Sequence, residues 1–162
     1  MSTQNIAEYL NAHLGGSMAA LDLLAHLQKA HTEQAPFYQR LHQEITADQT
    51  VLKKLLGTLD DAERNLHKAV GWMAEKVTRL KFQWDGLEKN HLGLLEALEM
   101  LTLGIQGKKV LWRALLEVAD SYPAWAKDFD FSALEKRARD QRDQVEVRRL
   151  EAAHRALQPG PS

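Results

Sequence analysis

The chain has 162 residues, 44% hydrophobic and 27% charged, which suits one domain with a real hydrophobic core and excludes a disordered tail. Its 21 basic residues nearly cancel its 22 acidic ones, so no overall charge favours nucleic acid or an anionic membrane surface as partner. The absence of cysteine removes thiolate catalysis, cysteine-ligated metal and disulfide stapling.

The opening MSTQNIAEYLNAHL has no basic segment followed by an apolar run, and no apolar stretch approaches the length of a membrane span. The expectation is a soluble, cytoplasmic protein. Leu, Ala, Glu, Lys and Gln dominate, while alternating apolar runs of Val, Ile or Thr are missing, so the fold is expected to be all-α. The first predicted helix covers residues 4–30, with Ile6, Leu10, Leu14, Leu21 and Leu24 on one side. The second covers 36–57, opened by Pro36 in its first turn and closed near Gly57. A third is expected over 61–84, where Asp60 and Glu63 have capping-box spacing and Leu66, Val70, Met73, Val77 and Leu80 make the stripe.

The fourth, 87–106, opens at a second such pair, Asp85 and Glu88, and LGLLEALEMLTLGI is apolar over most of its circumference. Such a helix is expected to be central, covered on several sides, with Glu99 turned among Leu92, Leu95 and Leu103. The run GIQGKK reads as a glycine-rich corner before a fifth helix, 108–122. It lacks the first glycine and the Ser or Thr of a phosphate loop, because Thr102 and Lys109 stand there. PAWAKDFDF reads as a loop. Ser132 and Glu135 then suggest a third capping box for a last helix over 132–157, and 158–162 form a tail. The fold class expected is therefore an antiparallel four-helix bundle with two additional C-terminal helices, in a single domain spanning 1–157.

Function rests on polar residues that point along apolar stripes. Ser17 and His13 lie one turn apart on the first helix, without a third orienting group for nucleophilic catalysis. In LHQEITAD, Asp48 points along the face of Leu41, Leu52 and Leu55, and Glu44 sits at its edge. If the four helices simply alternate up and down, Ser17, Asp48, Glu75 and Glu99 fall near mid-height, with His13 and Glu44 about one turn away. Anionic carboxylates gathered in an apolar bundle must be protonated, paired with cations or bound to metal. Lys76 and Lys108 are candidate cations for a structural polar network, Lys108 sitting one turn before Trp112. Trp72, Trp84, Trp112 and Trp125 read as core or interface anchors.

Inward carboxylates and a histidine on bundle helices also form the ligand set for iron or manganese. In this pattern residues 4–106 resemble the ferritin-like superfamily, whose bundles commonly hold a di-metal carboxylate site. The resemblance implies metal ligation by His13, Glu44, Asp48 and Glu99, with Glu75 a fifth candidate, and a metal-dependent oxidoreductase or storage role. The Glu-x-x-His motif of that family occurs once, at Glu88–His91. Two readings result. In the leading one the protein is non-enzymatic and acts by protein association, as a homodimer whose contact is the weakly striped last helix. The alternative is the iron or manganese carboxylate protein.

Overall fold

The computed structural model describes residues 3–60, 67–68, 71, 75 and 90–160, and among these every regular element is helical. The chain divides into two compact units, Met1–Phe82 and Gln83–Ser162.

In the first unit, helix α1 (Gln4–Ala30) is followed by a 3-10 turn (Thr32–Gln34) and helix α2 (Ala35–Gly57). So short a connection returns α2 antiparallel along α1. The start of α2 follows from Pro36, whose fixed φ and missing N–H suit a first turn. Its buried face is Tyr38, Leu41, Ile45, Asp48, Leu52 and Leu55, continued by Leu59 beyond the helix end. These steps of three and four residues are the seam pattern of a left-handed coiled coil. On α1, Ala7, Leu10, Leu14 and Leu24 are buried on the matching pattern, and half-buried Ser17 and Leu21 fill its middle.

The second unit is built on helix α3 (His91–Val118) and helix α5 (Phe131–Leu157), joined by a 3-10 turn (Ala119–Ser121) and the short helix α4 (Pro123–Asp128). Glu99 meets Arg149, Gln106 meets Arg142, Lys108 meets Gln141 and Arg113 meets Glu135, an order that makes the hairpin antiparallel. Buried residues on α3 step by four and three through Leu94, Leu98, Leu101, Ile105, Lys108, Trp112 and Leu115. On α5 the same steps run through Phe131, Leu134, Ala138, Gln141 and Val145, with Ala152 a further heptad on. An aromatic cluster closes the turn. Tyr122 stacks on Trp125 at 4.1 Å, and Phe131 lies 6.3 Å from Trp125 and 6.4 Å from Trp112.

Several expectations are corrected. GIQGKK makes no corner, because α3 runs unbroken through Gly104 and Gly107. Two helical glycines cost about 2 kcal/mol relative to alanine. Burying Leu101, Ile105, Leu111 and Trp112 in this stretch contributes about 1.5–3 kcal/mol each and outweighs that cost. Nor is α3 covered all round, since Leu92 and Leu103 are 50% and 72% exposed. Asn90 caps α3, its Oδ1 accepting from the Gly93 N–H at 2.8 Å. The cap of α5 is Asp130, which accepts from the Ala133 N–H at 2.9 Å, so Ser132 lies inside the helix. Part of the expected loop PAWAKDFDF is α4, with Pro123 in its first turn.

The helix expected over 61–84 lies outside the described residues, except that His67, Lys68, Gly71 and Glu75 are helical and exposed. The expected start at Asp85, Lys76, Trp72 and Trp84 also lie outside them.

Candidate functional site

Each hairpin carries a polar layer in its apolar seam. In the first unit Asp48 is 1% exposed and Gln49 is 9% exposed. Seam spacing puts Asp48 there, between Ile45 and Leu52, where an apolar residue would otherwise pack. Gln49 Nε2 donates to Ser17 Oγ at 3.0 Å, which ties α2 to α1 at this height. The Ser17 hydroxyl in turn donates to the Leu14 carbonyl at 2.6 Å. Its proton is committed to the helix backbone, so the expected His13–Ser17 pair is replaced and Ser17 has no activating base.

The Ser17–Gln49 bond also fixes the register between the two helices. In an antiparallel pair so aligned, Asp48 is level with Met18, Glu44 with Asp22 and His13 with Lys53. His13 and Glu44 therefore lie on opposite sides of the Asp48 layer, separated along the helix axis by about 13 Å. An ion held by Asp48 could use one of them but not both. Both are half-buried. Glu99, expected in the core, is an exposed residue of α3 whose Oε1 accepts from Arg149 Nη1 at 3.4 Å. Glu75 is exposed. Among the described residues, no group of three or more His, Asp or Glu side chains is arranged to hold a metal ion.

His13 packs edge-on against Tyr9, one turn earlier, with ring centroids 4.7 Å apart. Burial holds its pKa below the ordinary 6.5, because an imidazolium there would lose solvation. As pH falls, the unfolded chain takes up this proton first. The stabilisation from His13 is therefore complete above pH 6.5 and declines as pH falls below that value toward the folded pKa. A proton NMR titration should find His13 titrating below free histidine, and replacement by glutamine should flatten the melting temperature between pH 7 and 5. Titration of His13 at or above 6.5 would contradict the burial argument.

In the second unit the polar layer is Lys108 and Gln141. Lys108 is 8% exposed and Gln141 1%, and Lys108 Nζ donates to Gln141 Oε1 at 2.5 Å. Their positions follow from the seam pattern, which puts Lys108 between Ile105 and Trp112 and Gln141 between Ala138 and Val145. Gln141 is not among the residues expected in a polar network. The signal that could have found it is the spacing Phe131–Leu134–Ala138–Gln141–Val145, where a polar residue occupies a core slot.

Around this layer α5 presents a lattice of surface charge. Arg149 donates to Glu146 through Nε and Nη2, each at 2.7 Å, as well as to Glu99. The Arg149 hydrogen bonds hold the Glu146 carboxyl below its ordinary value, and Glu146 in turn raises Arg149. Arg142 Nη1 donates to Gln106 Oε1 at 3.1 Å, while its Nε and Nη2 reach Asp143. These arrangements tie α5 to α3 and keep the charges of its surface paired.

Among the described residues no helix is long and apolar enough to cross a membrane. No family model, no curated protein and no solved structure matches this chain.

Proposed function

We propose that the protein is a non-enzymatic cytoplasmic helical protein that acts by association, first of all with a second copy of itself. One observation carries this reading. Every large hydrophobic side chain left exposed among the described residues lies in the second unit, on α3 or α5, including Met100, Leu103, Val110, Val147, Leu150 and Leu157. The described part of the first unit contributes none. Scattered apolar residues on a surface are ordinary, but their concentration on one hairpin supports a role in association. The last helix was expected to offer its stripe outward. That stripe packs on α3, and the large apolar side chains that α5 leaves exposed are Val147, Leu150 and Leu157. The four-helix antiparallel arrangement expected from sequence, over 4–30, 36–57, 61–84 and 87–106, belongs to the same proposal.

The test is capture of one copy by another. Tagged and untagged chains are co-expressed and purified through the tag in high salt. Untagged chain should co-elute in comparable amount; elution of the tagged chain alone would contradict self-association.

A further inference from the structure

We draw no further inference here: the strongest candidate, the exposed apolar face of α3 that carries Met100, Leu103 and Val110, is an unpartnered helix face, and nothing in the structure shows what covers it.

Discussion

Replacing Trp112 by alanine should destabilise the second unit by about 3–5 kcal/mol, the range for truncating a fully buried large aromatic. Trp112 is 0% exposed, sits in the α3 seam and stacks on Phe131 at 6.4 Å with ring planes 22° apart. The alanine leaves a void where α3 meets the first turn of α5, and the turn carrying Trp125 and Phe131 loses one wall. Urea unfolding followed by circular dichroism measures the loss as a lower midpoint. Trp112→Phe should cost much less. It keeps most of the apolar area and removes an indole N–H that has no hydrogen-bond partner among the described residues. A Trp112→Ala loss below about 1 kcal/mol would contradict the tight packing ascribed to this seam.

The second large effect is expected at the Lys108–Gln141 layer. Gln141→Leu should cost about 1–3 kcal/mol, because it removes an acceptor from a buried ammonium while leaving the ammonium in place. Lys108→Met combined with Gln141→Leu should restore most of that stability, since apolar replacement of both members of a buried polar pair is often neutral or stabilising. The coupling comes from a double-mutant cycle in the same urea experiment. Near-additive losses would show that the two side chains act separately. Such a pair in a heptad seam is well placed to fix register, because a slip of one heptad would set Lys108 against apolar Leu134 in one direction and like-charged Arg148 in the other.

The fold is most legible in the sequence where apolar spacing and local chemistry agree. Helices α1 and α2 lie within a residue of their expected bounds, because Pro36 marks a first turn and leucines repeat at helical intervals. Asp48 was read as facing the core from spacing alone, and it is buried. The fold is least legible where tertiary packing overrides local preference. Gly104 and Gly107 have weak helix propensity, yet α3 passes through them because the seam on either side is bought by α5 packing. Helix α5 looked weakly striped because its seam uses Ala138, Gln141 and Ala152 in place of large apolar residues. Small and polar side chains carry little hydrophobic signal, although their spacing is regular. Glu99 is expected in the core from sequence because the first half of α3 is apolar nearly all round. The side left over turned out to face outward, where Arg149 meets the carboxylate.

That outward apolar side is why association stands at the centre of the account. Sedimentation equilibrium of the intact wild-type chain, across a hundredfold concentration range at near-physiological salt, tests it most directly. The account predicts a mass converging on twice the 18.4 kDa chain as concentration rises. A mass that stays at 18.4 kDa throughout would contradict it.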